Sequence, residues 1–268
     1  MPAAASPLLP SAIRWWPLVL LLPCLTHSDA ASLPSVPDPA PAPGLALPSL
    51  SLNGAPLSHL VQDPSSGQLY VGGVNSLYHL SPELQVLSQS QTGPRLDSPE
   101  CLPPIISQEC PSARATDNTN KILLMEPGLA EGAGGGSLIV CGSVFQGICD
   151  KRSLANVSEI LYQTSNPVDT QYVAANDPRV STVAVAIQQK GLRLMLVGRG
   201  YTSKGPGDIP PITTRRLTPS ANPPRRAFSQ EEELGKLVVG SYSEYNNHFV
   251  SALHHRNLLS SNSSQLEN

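Results

Sequence analysis

The sequence predicts an all-β fold built from short strands and frequent turns. The 20 Gly and 28 Pro residues make up 48 of the 268 positions, and such a content of turn-forming residues argues against a helical bundle. From residue 53 onward, short apolar runs are cut by turn residues, and no window longer than about ten residues keeps a helical apolar period. Periodicity alone leaves a sandwich, a barrel and a propeller open.

The N-terminus has the pattern of a secretory signal peptide. Arg14 precedes an apolar run over residues 15–25, and small residues follow at 28–32, where a signal peptidase could cut. The run contains two prolines and is shorter than the roughly 20 residues that span a bilayer. We therefore expect residues 1–31 to be a signal peptide and the mature chain to be soluble and secreted.

Three regions follow the signal peptide. Residues 32–52 are rich in Pro, Ala, Leu and Ser and carry one charge, Asp38, which predicts an extended linker. Residues 53–253 hold the strand patterns. Residues 254–268 hold none, and their Ser and Asn content predicts a disordered tail. The predicted strands are 68–71, 76–80, 121–125, 138–141, 171–174, 181–187, 192–197, 236–240 and 248–253.

The cysteines fit an oxidising compartment. Because Cys24 lies in the predicted signal peptide, the mature chain keeps four cysteines, Cys101, Cys110, Cys141 and Cys149. Four cysteines in a secreted chain imply two disulfides, for which three connectivities are possible. The Cys-x2-Cys spacing of a zinc site is absent and no His lies close by, which favours disulfides over zinc.

No motif in the sequence calls for catalysis, a metal or a cofactor. The glycine run at 132–136 leads into a strand pattern instead of a helix, so it predicts a hairpin loop and not a phosphate site. A Gly-x-Ser-x-Gly elbow is also absent, which leaves a secreted hydrolase as the weakest alternative. With a formal net charge of −3, the chain lacks the basic domain typical of nucleic-acid binding. We expect neither an enzyme nor a cofactor.

Two further features concern the surface. Sequons at Asn156 and Asn262 predict N-glycosylation. Basic residues cluster in a segment rich in Pro and Gly, and arginine suits an acidic protein partner or a sulfated glycan, although a solvated basic loop is the alternative. The cluster consists of Lys204, Arg215, Arg216, Arg225 and Arg226.

Several ordered segments between residues 53 and 253 carry a family signature. The most distinctive is residues 141–149, CGSVFQGIC. The others are 69–78 (LYVGGVNSLY), 92–98 (TGPRLDS), 116–121 (TDNTNK), 172–178 (YVAANDP), 198–203 (GRGYTS) and 209–215 (IPPITTR). Together they resemble the N-terminal sema domain of the plexins, the cell-surface receptors for semaphorins, and the last three are similar to the B class.

This resemblance implies a seven-bladed β-propeller with four-stranded blades and a semaphorin as the protein ligand. It also implies the disulfide pairs Cys101–Cys110 and Cys141–Cys149. In the family, signalling belongs to an intracellular GTPase-activating region that follows a transmembrane helix, so membrane attachment would come only through a full-length receptor. We expect partner contacts from surface loops such as 199–216, with the candidate residues Arg199, Tyr201, Lys204, Arg215 and Arg216.

The resemblance stops near residue 253. Blades of propellers take ~40–50 residues, so about 200 residues build at most about four of seven blades. We therefore expect a partial sema domain with an incomplete ring, as in a truncated or spliced product, whose uncovered blade faces favour aggregation. Two functions follow: a semaphorin-binding receptor ectodomain in axon guidance and cell-migration signalling, or a secreted decoy or non-functional fragment that does not signal.

Overall fold

The structure is a computed structural model. The predicted signal peptide and the linker up to residue 47 lie outside the residues it describes. In the part of the chain that is described, no helix has the length and apolar character needed to span a membrane. The described residues are 48–52, 54–126, 136–164, 166–170, 172–189, 192–203, 209–217, 236–237, 247–255 and 258–265.

Three four-stranded antiparallel sheets, named blades 1 to 3, confirm the predicted all-β class. Blade 1 contains β1 (Leu57–Gln62), β2 (Leu69–Gly73), β3 (Ser76–Leu80) and β4 (Val86–Gln91). A hairpin of β5 (Arg95–Asp97) and β6 (Arg114–Thr116) leads to blade 2, which contains β7 (Asn120–Glu126), β8 (Ser137–Gly142), β9 (Cys149–Ser153) and β10 (Ile160–Tyr162). The helical turn α1 (Pro167–Thr170) leads to blade 3, which contains β11 (Thr182–Gln189), β12 (Leu192–Arg199), β13 (Ile212–Arg216) and β14 (Lys236–Leu237). The last pair is β15 (Asn247–His255) and β16 (Leu258–Gln265).

The first strands of successive sheets lie side by side. β1 contacts β7, β7 contacts β11, and β11 contacts β15. Within each sheet the following strands continue outward in chain order. Four-stranded sheets arranged radially in this way are blades of a β-propeller, and the hairpin of β15 and β16 occupies the position of the next blade.

Blade 2 is buried on both faces because its apolar side chains alternate in direction. Leu123 and Leu138 pack toward blade 1, whereas Ile122 and Ile139 pack with Met195 of blade 3. Since successive side chains of a strand point to opposite faces of its sheet, an uninterrupted Val/Ile/Leu run is what a central blade requires. The apolar runs of β7 and β8 thus bury blade 2 on both of its faces.

Two strand predictions were wrong. Residues 172–174, predicted as a strand, follow α1 as a bend, and the buried Val173 and Ala174 pack in the core without strand pairing. The tail predicted as disordered contains β16, which pairs antiparallel with β15 from Asn247 to His255. The edge of β15 offers backbone partners there, and pairing with them outweighs the low strand propensity of Ser and Asn.

Buried polar side chains join neighbouring blades. Arg152 of blade 2 donates from Nη1 to Ser90 Oγ of blade 1 at 2.8 Å and to Val157 O at 2.9 Å. Val157 N in turn donates to Ser88 Oγ at 3.1 Å. These contacts satisfy polar groups that would otherwise be buried without partners. They therefore fix the position of blade 1 relative to blade 2.

Candidate partner-binding face

Gln146 joins several segments at one face of the propeller. Its buried side chain donates from Nε2 to Pro99 O at 3.0 Å and to Cys101 O at 2.8 Å, and its Oε1 accepts from Asn176 Nδ2 at 2.6 Å. Thr202 donates to Asn176 Oδ1 at 3.1 Å. A satisfied buried network of this kind makes the local arrangement rigid. We call this surface the hub face; its segments are 98–112, 143–148, 172–181 and 200–203.

The hairpin loop of blade 2 depends on a glycine to reach this position. Gly147 has a φ of +77°, and a Cβ there would overlap the carbonyl oxygen of Ala174. Without a Cβ, the backbone approaches closely enough for Ala174 N to donate to Gly147 O at 3.1 Å. The disulfide Cys141–Cys149 closes the same hairpin between β8 and β9.

The second disulfide, Cys101–Cys110, closes the loop between β5 and β6. Asp97, at the end of β5, holds this loop against blade 2 because its Oδ2 accepts from Phe145 N at 2.9 Å. Burial raises the pKa of Asp97, and two backbone hydrogen bonds act against that rise. Both disulfide pairs that the family resemblance implied are therefore confirmed.

Lys121 anchors the turn that precedes blade 3. Its ammonium group donates to the backbone carbonyls of Asp177, Pro178 and Val180. Burial lowers the pKa of Lys121 to about 8, while the charge of Asp177 acts in the opposite direction. The turn presents Arg179, whose side chain is 83 % exposed and pairs with Asp177 at 2.9 Å.

The prediction that Arg199 and Arg215 contact a partner at the surface does not fit the structure. Both side chains are buried. Arg199 donates from Nε to Ala174 O at 3.1 Å, and Arg215 donates from Nη1 to Thr170 O at 2.9 Å. Burial lowers the pKa of Arg199 to about 10 and that of Arg215 to about 9, with the charge of Arg199 adding to the second shift. These two residues position the segment before blade 3.

The other predicted contact residues do not form one patch. Tyr201 is half-buried in the hub face, where its backbone N–H donates to Asn247 O at 3.3 Å. Arg216 is half-buried and lies at the end of β13 that is farther from the hub face. In the register of β12 and β13, Arg216 pairs with Leu194, whereas Ile212, at the other end of β13, pairs with Gly198. Four residues of strand separate the two ends by roughly 13 Å. Lys204, Arg225 and Arg226 lie outside the described residues.

Sequence reasoning missed the residues that build and expose this face. The buried Gln146 and Asn176 lie inside two of the family-like segments, and that resemblance was the only signal for them. Leu102 and Ile106 of the disulfide loop are 59 % and 42 % exposed. With Arg179, they give the hub face exposed apolar and cationic side chains, and arginine is among the residue types enriched in protein interfaces.

The structure also bears on metal binding and on glycosylation. Among those residues, no group of three or more His, Cys, Asp and Glu side chains is placed to hold a metal ion. Asn156 is exposed in the turn between β9 and β10. The side chain of Asn262 is not among those described. The predicted N-glycosylation of these two residues stays a prediction.

Comparison with known proteins identifies relatives that match most of the chain. No protein-family model matches the chain. Human Plexin-B1 is 52 % identical over 202 residues, which cover 75 % of this chain and 9 % of the relative. Human Plexin-B3 is 42 % identical over 243 residues, which cover 91 % of this chain and 12 % of the relative. The chain thus spans about a tenth of the length of these relatives.

A solved plexin structure shares the fold of this chain. The extracellular region of plexin A4 superposes with a TM-score of 0.64 at 28 % identity, covering 79 % of this chain and 23 % of that chain. The radial four-stranded sheets, the two local disulfides and the B-class relatives agree with one another. The chain therefore belongs to the plexin family, in which it is related to the B class and corresponds to part of the sema-domain propeller of the extracellular region.

Proposed function

We propose that this chain is an extracellular, semaphorin-binding part of a plexin-type receptor and that it contacts its ligand through the hub face. The observation that carries the proposal is 52 % identity to Plexin-B1 over 202 residues. Semaphorins are the ligands of the family that the sequence resembles. The two disulfides support an extracellular location, because disulfides persist in oxidising compartments.

The hub face suits this role because it combines a rigid base with exposed contact groups. The network of Gln146 and Asn176 holds the loops in place, so little conformational entropy is lost when a partner binds. Tyr201 and Arg179 supply an aromatic and a guanidinium group, which are the residue types enriched among binding hot spots. Leu102 adds exposed apolar area. Loops on a rigid β scaffold commonly carry binding residues.

Replacing contact residues of the hub face is expected to weaken semaphorin binding. Arg179→Ala and Tyr201→Ala should each raise the Kd by roughly tenfold or more, since hot-spot truncations cost about 2 kcal/mol and 1.4 kcal/mol is tenfold. The measurement is surface plasmon resonance of the full-length chain against a panel of semaphorin ectodomains. Thermal melting of each variant checks that the fold is retained.

Arg216→Ala is the matched control because Arg216 lies at the opposite end of blade 3. Unchanged affinity for this variant supports the hub face. Loss of affinity for Arg216→Ala alone would place the contact at the other end of the blade, and absence of binding to every semaphorin would contradict the proposed function. The basic cluster also predicted binding to a sulfated glycan, and heparin chromatography of the same variant tests this prediction. If Arg216 contributes to such binding, Arg216→Ala should elute from heparin earlier than wild type.

Asn156 is expected to carry an N-linked glycan when the chain is made in mammalian cells. Its Oδ1 accepts from Ser158 Oγ at 2.6 Å and from Ser158 N at 3.0 Å, while the buried Val157 fixes the turn. Digestion with peptide-N-glycosidase should therefore shift the secreted protein on a gel, and Asn156→Gln should remove one step of that shift. Asn166→Gln is a control without a sequon, and Asn262→Gln reports the second predicted site. An identical pattern for wild type and Asn156→Gln would contradict modification at Asn156.

A further inference from the structure

A cleft of about 650 Å³ lies between blades 1 and 2, beside the disulfide loop. This volume is within the range of pockets that hold small ligands or peptide side chains. Its apolar lining includes Leu77 of blade 1 and Val140, Val144 and Ile148 of blade 2. Ile148 is half-buried, and the other three are buried. The loop containing Pro103 and Pro104 also lines it.

Two groups of opposite charge line the same cleft without pairing with each other. Asp150 is held by Arg152, whose Nη2 lies 2.8 Å from Asp150 Oδ2. Part of the Asp150 side chain, 16 %, remains exposed. Arg95 is exposed, and within the described residues its guanidinium makes one hydrogen bond, from Nε to Thr92 O at 3.2 Å.

The charges of Arg95 and Asp150 nevertheless act on each other. Burial raises the pKa of Asp150, and the positive charge of Arg95 is among the effects that oppose the rise. A group located between the two residues could therefore accept a hydrogen bond from the remaining N–H groups of Arg95 and donate one to the carboxylate of Asp150. A main-chain amide has one acceptor and one donor of this kind, and the neighbouring apolar wall suits an aliphatic side chain.

We propose that the cleft between blades 1 and 2 binds a short peptide segment, with a main-chain amide between Arg95 and Asp150 and an aliphatic side chain against Leu77, Val140 and Ile148. Hydrogen bonds to charged groups are stronger than neutral ones, so the two charged residues orient the amide. Burial of the aliphatic side chain supplies the apolar contribution to affinity. The cleft shares parts of segments 98–112 and 143–148 with the hub face, but its lining includes none of the proposed contact residues Leu102, Ile106, Arg179 and Tyr201. Peptide binding there does not depend on semaphorin binding.

The test is a methyl NMR titration of the full chain, labelled at Ile, Leu and Val, with N-acetyl-leucine methylamide. We expect saturable shifts at Leu77, Val140 and Ile148 and none at Ile187, which is buried in blade 3. N-acetyl-glycine methylamide, which lacks the side chain, should bind more weakly. Arg95→Ala should weaken the leucine probe by roughly tenfold, because it removes a charged donor.

Arg114→Ala is the matched protein control. Arg114 is exposed on β6 opposite Asp97 and does not line the cleft, so its replacement should leave the affinity unchanged. The proposal is overturned if wild type gives no saturable shift, if Arg95→Ala binds as tightly as wild type, or if the glycine probe binds as well as the leucine probe. Because Arg95 is exposed, thermal melting of Arg95→Ala should match that of wild type.

Discussion

Replacing Glu126 by Gln is expected to lower the free energy of unfolding by about 3–5 kcal/mol, because the variant leaves buried cations without their carboxylate. Glu126, at the end of β7, lies 2.7 Å from Lys151 Nζ and 3.2 Å from Arg193 Nη1. Ser137 Oγ donates to the same carboxylate at 2.6 Å. Since Arg193 belongs to blade 3 and the others to blade 2, the loss also loosens the contact between the blades. Urea unfolding of the purified chain measures the change.

A double-mutant cycle separates the ion pair from general damage to the fold. Lys151→Met removes one of the two cations, so Glu126→Gln with Lys151→Met should cost less than the sum of the single changes. Glu109→Gln is the control, since Glu109 is exposed and surface substitutions stay within about 0.5 kcal/mol. A loss below about 1 kcal/mol for Glu126→Gln would show that the charge cluster contributes little.

Removing the disulfide of blade 2 by Cys141→Ala with Cys149→Ala is expected to cost about 3–5 kcal/mol. A loop of this length contributes roughly 2.5 kcal/mol by restricting the unfolded chain. Both cysteines are also fully buried in the core between blades 2 and 3, so removal of the two sulfurs leaves a cavity with a further cost. Denaturant unfolding under oxidising conditions gives the total.

The second disulfide supplies the comparison. Cys101 and Cys110 are separated by nine residues against eight for the first pair, so the loop contribution is nearly equal. Cys101 is only partly buried, and the pair lies outside the main core cluster. Cys101→Ala with Cys110→Ala should therefore cost about 2–3 kcal/mol. Equal losses for the two double variants would mean that burial in the core adds nothing.

Predictions from the sequence were most accurate for the buried strands. The strand at 76–80 was predicted with the bounds of β3, and the apolar runs of β7 and β8 were placed to within a residue or two at each end. Outer strands such as β4 and β10 were missed. Their side chains are largely exposed, so apolar content does not mark them. They form because a neighbouring strand offers backbone partners, which is information from another part of the chain.

The exposed residues of the hub face were predicted least well, because side-chain exposure depends on distant residues. Arg215 and Arg216 are indistinguishable in the sequence. Successive side chains of β13 point to opposite faces, which buries Arg215 and leaves Arg216 half-exposed. Conversely, Arg179 was not predicted as a contact. Its turn is held at the surface by Lys121, which lies more than fifty residues away in sequence, so local sequence does not reveal the exposure of Arg179.

The sequence by itself determined the all-β class, the presence of two disulfides and the family. Each of these follows from composition, from cysteine count in a chain predicted to be secreted, or from ordered segments such as 141–149. Only the tertiary structure decided which polar residues are exposed and which support the fold. Arg215 is structural because Thr170 O lies within hydrogen-bond distance, 45 residues earlier in the chain. Burial and hydrogen-bond partners of a side chain are set by such long-range neighbours, which local sequence patterns do not encode.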